Sequence, residues 1–117
     1  MPNVVCAQWS SPTPVFVLYD ELGNPVSWTG LSGKFVVKRF ITDPDSAILI
    51  SVAITPDLDQ VNNPGKYSIP LTSALTQIAP GNYPAELLVY NGATSTPPIR
   101  TESSTFSTYQ PVLSQNV

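Results

Sequence analysis

The sequence predicts an all-β fold, an antiparallel β-sandwich of about seven strands. Apolar segments of strand length recur along the chain, and none is long enough to suggest a long helix. Clusters of Pro, Gly and Asn separate these segments, as turns separate the strands of a sandwich. The motif Pro-Gly-x-Tyr occurs twice, at residues 64–67 and 80–83, and each copy begins an apolar segment.

Each Pro-Gly motif predicts a tight turn into a strand. Proline presets the first central position of a turn, and glycine accepts the positive φ that the second position of a type II turn requires. The tyrosine that follows is the first strand residue able to point into a core. Between the motifs, Leu75 and Ile78 predict a single helical turn, capped by Thr72 or Ser73, that packs against one end of the sandwich.

The strands themselves are predicted from their side-chain alternation. They span residues 15–20, 33–41, 47–55, 67–71, 83–90 and 99–109. In the second strand Phe35 and Val37 share one face, and the alternation breaks at 39–41, which indicates a bulge. The third has the clearest period-two pattern, with an inward face of Ile48, Ile50, Val52 and Ile54. Such strands, joined by short turns, fit a sandwich of immunoglobulin type.

A chain of 117 residues holds one domain. We predict an extended N-terminal arm at residues 1–13, an immunoglobulin-like sandwich domain at 14–110 and a C-terminal tail at 111–117. Prolines interrupt the arm before any regular ladder forms, so it either lies along its own sandwich or reaches a neighbour. The apolar residues of the arm and tail are predicted to contact a partner: Val4, Val5, Trp9, Val112 and Leu113.

Composition narrows the possible partners. Only 11% of the residues are charged, where about a quarter is usual. Protein interfaces are depleted of Lys and Glu, so part of this surface is expected to face a partner; a Ser/Thr-rich exterior of a secreted or phage-type domain explains the composition equally well. The net charge of −3 is scattered, which excludes nucleic-acid binding. No segment approaches the ~20 apolar residues of a membrane helix, and no signal peptide is recognisable at the N-terminus, so we expect synthesis and folding in a cytoplasm.

The residues of catalytic chemistry are mostly missing from the sequence. Cys6 is the only cysteine and there is no histidine, which leaves no disulfide, no zinc site and no base for a serine or cysteine nucleophile. We therefore predict no enzymatic activity, no catalytic residues, no cofactor and no metal. One alternative is a calcium site formed by Asp57, Asp59, Asn62 and Asn63, which otherwise are solvated turn residues. A second is an aromatic binding patch drawn from Trp9, Trp28, Tyr90 and Tyr109, which otherwise are mostly core.

The order of the turn motifs resembles a known family. The turn Asp-x-x-Gly-x-Pro at residues 20–25 leads to Trp-Thr-Gly at 28–30, and Ile-Ala-Pro-Gly-Asn-Tyr follows at 78–83. This order is similar to that of the N-terminal immunoglobulin-like domain of phage baseplate upper proteins and of related small Ig-like phage virion proteins. The resemblance spans roughly residues 14–110. It implies an immunoglobulin-like fold, and the family offers no catalytic residues.

From this resemblance and the low charge we expect a non-enzymatic structural protein of a tailed-phage virion, in the baseplate, the tail or neck, or as a head decoration. It would be assembled in the host cytoplasm and act through contacts with other virion structural proteins, in multiple copies or as a homo-oligomer. No nucleic acid or membrane is expected as a partner. The alternative is an Ig-like adhesion or carbohydrate-binding module whose loops, at residues 57–63 and 91–98, contact glycans.

Overall fold

The computed structural model describes residues 3–40, 42, 44, 47–92 and 97–110. Within these ranges the chain is all-β, as predicted, and it contains no helix that could cross a membrane. The strands are Asn3–Ala7 (β1), Val15–Val17 (β2), Leu31–Lys38 (β3), Ile48–Ala53 (β4), Thr55–Pro56 (β5), Lys66–Ser68 (β6), Gly81–Asn91 (β7) and Arg100–Tyr109 (β8).

The strands form two sheets. The larger has the order β1-β8-β7-β3-β4, and the smaller has the order β2-β6-β5. Every pair is antiparallel except β1 with β8, which run parallel from Asn3 opposite Thr105 to Ala7 opposite Tyr109. The prediction of a wholly antiparallel fold is therefore wrong at this pair, and the larger sheet is mixed.

The parallel pair is stabilised by side-chain burial. Val4 and Cys6 alternate along β1 and both are buried, on the same side of the sheet as Phe106, which lies opposite Val4. Burying an aliphatic side chain such as valine contributes about 1.5–3 kcal/mol relative to leaving it exposed. The strand direction is free to be parallel because β1 and β8 are separated by nearly the whole chain, so no short hairpin connects them.

Both sheets contribute side chains to one buried core. Phe35 of β3 meets Phe106 of β8 with ring centroids 6.4 Å apart, and Trp28 meets the edge of Tyr67 at 5.3 Å. The predicted inward faces are confirmed except at the start of β4. There the pairing with β3 is irregular, so Ile48 lies opposite the outward Lys38, and Leu49 packs against the core instead. Residues buried in this core include Ile50, Ile54, Tyr67, Ile69, Leu71, Ala85, Leu87 and Val89, with Leu75 and Ile78 packed against it.

The first Pro-Gly turn has the predicted geometry. Gly65 has φ of +80°, and the Lys66 N–H donates to the Asn63 carbonyl at 3.2 Å, which closes the type II turn. The second motif differs, since Gly81 is already the first residue of β7. Thr72 caps the short helical turn as expected, because its Oγ1 accepts from the Leu75 N–H at 3.3 Å.

Gly65 also joins the turn to the core. Its carbonyl oxygen accepts hydrogen bonds from the Leu18 N–H at 2.9 Å and from the Trp28 Nε1–H at 3.0 Å. Gln60 closes the same junction, because its Oε1 accepts from the backbone N–H groups of Trp28 and Gly65, at 3.0 and 2.9 Å. The local sequence around Gln60 does not predict these hydrogen bonds, since Trp28 and Gly65 lie on different segments of the chain.

Candidate interaction surface

The predicted N-terminal arm begins as an edge strand of the larger sheet. Of its apolar residues, Val4 is buried in the core of its own chain, so its side chain is not presented to a partner in this arrangement. Val5 points to the opposite side and is 69% exposed. The arm thus takes the first of the two arrangements expected for it, along its own domain, and leaves Val5 at the surface.

Trp9 follows β1 in a strained turn. The Ser10 N–H and Oγ–H both donate to the Ala7 carbonyl, at 3.2 and 2.5 Å, and Trp9 occupies the third turn position with φ of +72°. Glycine is the usual residue in that conformation. The turn is tied to the short helical turn by Thr76, whose buried Oγ1–H donates to the Ser10 carbonyl at 2.6 Å. The Trp9 side chain is half-buried.

The remaining predicted partner residues, Val112 and Leu113, lie outside the described residues, as does the whole tail at 111–117.

The outer surface of β1 and β8 carries no charged side chain. Because Ser104, Phe106 and Thr108 are buried, the alternating residues of β8 face outward, next to the outward residues of β1 and the first part of β7. We call this surface the uncharged face. Its members are Asn3, Val5, Ala7, Asn82, Pro84, Thr101, Ser103, Thr105, Ser107 and Tyr109.

Short polar side chains pair with one another across the strands of the uncharged face. The Thr105 hydroxyl bonds to the Asn3 side-chain oxygen at 3.1 Å, and the Ser107 hydroxyl bonds to the Asn82 oxygen at 2.6 Å. Val5 and Tyr109 are diagonal neighbours on it, and both are more than half exposed. The sequence signal for this face was the run of Ser and Thr at every second position of residues 101–107.

The charged side chains on the outer surface of the larger sheet lie on β3 and β7. Lys34 and Lys38 flank Val36 on β3, and Glu86 lies opposite Val36 on β7. The Lys34 Nζ is 5.8 Å from the centroid of the Tyr90 ring, a cation–π distance. The outer surface is thereby divided into a charged half and the uncharged face.

The loop proposed for calcium or glycan binding uses its carboxylates internally. The Asp57 Oδ1 accepts from the Asp59 N–H at 2.8 Å, and its Oδ2 is 3.9 Å from the Lys66 Nζ. The hydrogen bonds from Asn62 hold the pKa of the exposed Asp59 carboxyl below its ordinary value. These hydrogen bonds hold the loop in its own conformation. The Asp57 side chain is 28% exposed and is already paired with Lys66.

Two of the four aromatic residues considered for a binding patch are buried. Trp28 is 2% exposed and Tyr90 is 3% exposed, so neither ring offers a stacking surface. Trp9 and Tyr109 remain at the surface, both near the end of β1 where Ala7 lies opposite Tyr109. Of these four aromatic residues, the accessible ones are therefore at the border of the uncharged face and not on the loops at residues 57–63 and 91–98.

Burial raises the pKa of two side chains, those of Cys6 and Tyr67. Burial raises the pKa of the Cys6 thiol, and a hydrogen bond with Ser10 opposes this only in part. Burial, and secondarily the charge of Glu102, raises the pKa of the Tyr67 hydroxyl well above its ordinary range. Glu102 is itself paired with Arg100 at 2.6 Å, and Arg100 also donates to the Tyr19 carbonyl. These side chains stabilise the fold in their neutral or paired forms.

No protein-family model matches this sequence, and a search of curated proteins finds no significant relative. The surface just described is therefore the basis for a functional proposal.

Proposed function

We propose that this chain is a non-enzymatic structural protein of a tailed-phage virion, an immunoglobulin-like β-sandwich that acts through protein–protein contacts. The observation that carries the proposal is the uncharged face together with the open outer edge of β1. The location is the virion, in the baseplate, the tail or neck, or the head surface. The partners are other virion structural proteins.

The physical argument starts from desolvation. A charged side chain buried in an interface must find a partner or lose its hydration energy, so interface centres are depleted of Lys, Glu and Asp. The ten outward positions of the uncharged face carry none of them, although the chain has 13 charged residues elsewhere, five basic and eight acidic. A surface of this composition loses little hydration free energy when it is buried in an interface.

The open edge supplies the second part of the argument. An edge strand presents unpaired N–H and C=O groups that can add a strand from another chain. Among the described strands β1 is such an edge, since only its β8 side is paired there. The similarity of the turn motifs to those of the Ig-like domain of phage baseplate upper proteins supports placing this contact in a virion.

The test is binding to particles that lack this protein, with a charge placed on the uncharged face. Thr105 is exposed at the centre of that face, and among the described residues its side chain makes one hydrogen bond, to Asn3. Thr29, in a loop, is a matched control, because it is also exposed and its side chain also makes one hydrogen bond to a described residue, Ser27. Thr105→Lys is expected to weaken binding at least about tenfold, and Thr29→Lys by less than about twofold.

Two results would contradict the proposal. One is equal binding by the wild-type chain and both variants, which would place the contact elsewhere. The other is no binding of the wild-type chain to particles. If a glycan array then bound the chain, and binding were lost on changing Asp57 or Asp59, the adhesion or carbohydrate-binding alternative would replace the structural role.

A further inference from the structure

We propose that β1 pairs with β1 of a second copy of this chain, antiparallel across a two-fold axis at Val5. The pairing would join two five-stranded sheets into one continuous sheet. This inference rests on the proposed function in one respect, that the β1 edge is an assembly surface, and it names the partner at that edge.

The backbone of β1 determines which groups are available. The Gln8 N–H donates to the Tyr109 carbonyl at 2.8 Å, so it points toward β8. Backbone groups alternate direction along a strand, and therefore Asn3, Val5 and Ala7 direct their N–H and C=O groups to the open side. Of these, the Ala7 carbonyl already accepts from Ser10. Within the described part of the chain, the backbone groups that remain open on this side are centred on Val5.

This set of open groups is complementary to itself. In an antiparallel pair centred on Val5, each Val5 N–H donates to the Val5 carbonyl of the other copy. Each Ala7 N–H reaches the Asn3 carbonyl of the other copy, which points to the open side and accepts no hydrogen bond from the residues that the structure describes. The pair needs no register shift and no change of backbone conformation, since β1 is already an extended strand with outward residues at every second position.

β1 is also the edge that carries no protection of its own within the described structure. Natural sheets guard their edges with proline, charged residues, bulges or very short strands. Among the described strands, β5 is two residues long and ends in Pro56, β2 is three residues long and follows Pro14, and the pairing of β4 with β3 is irregular between Val37 and Lys38. β1 has five residues, without proline, charge or bulge.

A second copy of the chain can pair with this edge because β1 and the surface beside it carry no charge that would repel its own equivalent. A two-fold axis places each residue near its own equivalent, so any charge close to the axis would face a like charge. The chain carries a net charge of −3, yet β1 and the adjoining uncharged face have no charged residue. Serine and threonine hydroxyls both donate and accept hydrogen bonds, so the same surface can satisfy itself across the axis.

The size of the contact sets its strength. Five residues of strand and their neighbours form an interface at the low end of specific contacts, in the class that associates reversibly. The dimer should therefore depend on concentration in solution. In a particle that holds several copies in place, the high effective concentration would favour the same pairing.

Sedimentation of the full chain over a wide concentration range tests the proposal. Val5→Lys places two like charges beside the axis, and it is expected to raise the dimer Kd at least about tenfold. Val61→Lys is the matched control, since Val61 is an exposed valine of the loop after β5, 90% accessible against 69% for Val5. It should change the Kd by less than about twofold. A wild-type chain that stays monomeric at millimolar concentration, or equal weakening by both variants, overturns the proposal.

Amide hydrogen exchange at Val5 identifies what covers the edge. A second copy predicts protection of this N–H that rises with protein concentration. Protection that does not depend on concentration would show that the chain's own residues cover the edge, and it would overturn the proposal.

The particle assay separates failure of the inference from failure of the proposed function. A monomer that binds particles, with binding lost in Thr105→Lys, leaves the structural role standing and removes the two-fold pairing. A monomer that binds no particle removes both.

Discussion

Replacing Gly65 with alanine tests whether the first Pro-Gly turn is the junction on which the smaller sheet depends. Gly65 is buried and has φ of +80°. A Cβ added there would lie 2.6 Å from the Leu18 carbonyl oxygen and 3.1 Å from the Val17 Cγ1. The nearest atom belongs to the backbone, so no side-chain rotation can relieve the contact.

The expected loss has two parts. The positive φ alone costs an L-residue about 1–2 kcal/mol. Moving the turn away from Leu18 also weakens the hydrogen bonds that the Gly65 carbonyl accepts from the Leu18 N–H and the Trp28 Nε1–H. A net contribution of about 1 kcal/mol for each such bond raises the total to about 3–4 kcal/mol, a large part of the ~5–15 kcal/mol by which domains are stable.

Gly23→Ala separates the two parts. Gly23 has φ of +83°, nearly the same as Gly65, but an added Cβ there would meet nothing within 4 Å. Its loss is therefore expected to be the conformational part alone, about 1–2 kcal/mol. Both variants reduce the entropy of the unfolded chain equally, so that effect cancels in the comparison.

Urea unfolding followed by tryptophan fluorescence measures both variants, because Trp28 is buried against Tyr67 and becomes exposed on unfolding. The two losses differ by about 2 kcal/mol, so the Gly65→Ala midpoint should lie below the Gly23→Ala midpoint by roughly 0.7–2 M urea, for a slope of about 1–3 kcal/mol per M. Losses that agree within about 0.5 kcal/mol would refute the reasoning, since they would mean that the turn absorbs the Cβ without disturbing Leu18 or Trp28.

Three further predictions use the same unfolding assay or a simple thiol reaction. Because Trp9 has φ of +72°, Trp9→Gly should be more stable than Trp9→Ala by about 1 kcal/mol; the reverse order would contradict the strained turn. The buried Ser104 Oγ has no hydrogen-bond partner among the described residues, so Ser104→Ala should raise the free energy of unfolding by about 1 kcal/mol, and a loss would reveal a partner. Burial raises the pKa of the Cys6 thiol above its ordinary 9.0, so the stability that the protonated thiol contributes is complete below pH 9.0 and falls as the pH rises further. Ellman's reagent should therefore react with Cys6 much more slowly in the native than in the unfolded chain. A Cys6→Ala variant should lose the part of the alkaline destabilisation that comes from this thiol.

Local signals predicted most of this fold. The period-two pattern of residues 47–55 correctly predicted that Ile50, Val52 and Ile54 face inward, because alternation depends only on strand geometry. It was wrong at Ile48, because the irregular pairing with β3 places that residue opposite the outward Lys38. The Pro-Gly motif correctly gave the turn at Gly65, because the φ of a turn glycine is a property of a few adjacent residues. The second motif did not form the same turn, since Gly81 was drawn into the ladder with β8.

Features that depend on distant residues were not predicted. The sequence predicts an irregular arm where the structure has β1. The alternation of Val4 and Cys6 is a weak signal in a segment of five residues, and the partner strand β8 lies about a hundred residues away. Gln60 had no signal at all, since its side chain bonds to Trp28, Gly65 and Lys66 only after the chain has folded. The uncharged face arises in the same way, from β1, β7 and β8 coming together.

The positions of these features allow stability and assembly to be changed separately. The Gly65 junction belongs to the smaller sheet and holds buried groups, whereas Val5 and Thr105 are exposed on the edge side of the larger sheet. A charge at either exposed site leaves the core intact, and surface substitutions of this kind usually change stability by less than about 0.5 kcal/mol. Loss of association in Val5→Lys or Thr105→Lys with an unchanged urea midpoint would therefore assign the loss to the contact itself. A lowered midpoint would instead mean that β1 is held in its own sheet so weakly that its outer residues affect its pairing with β8.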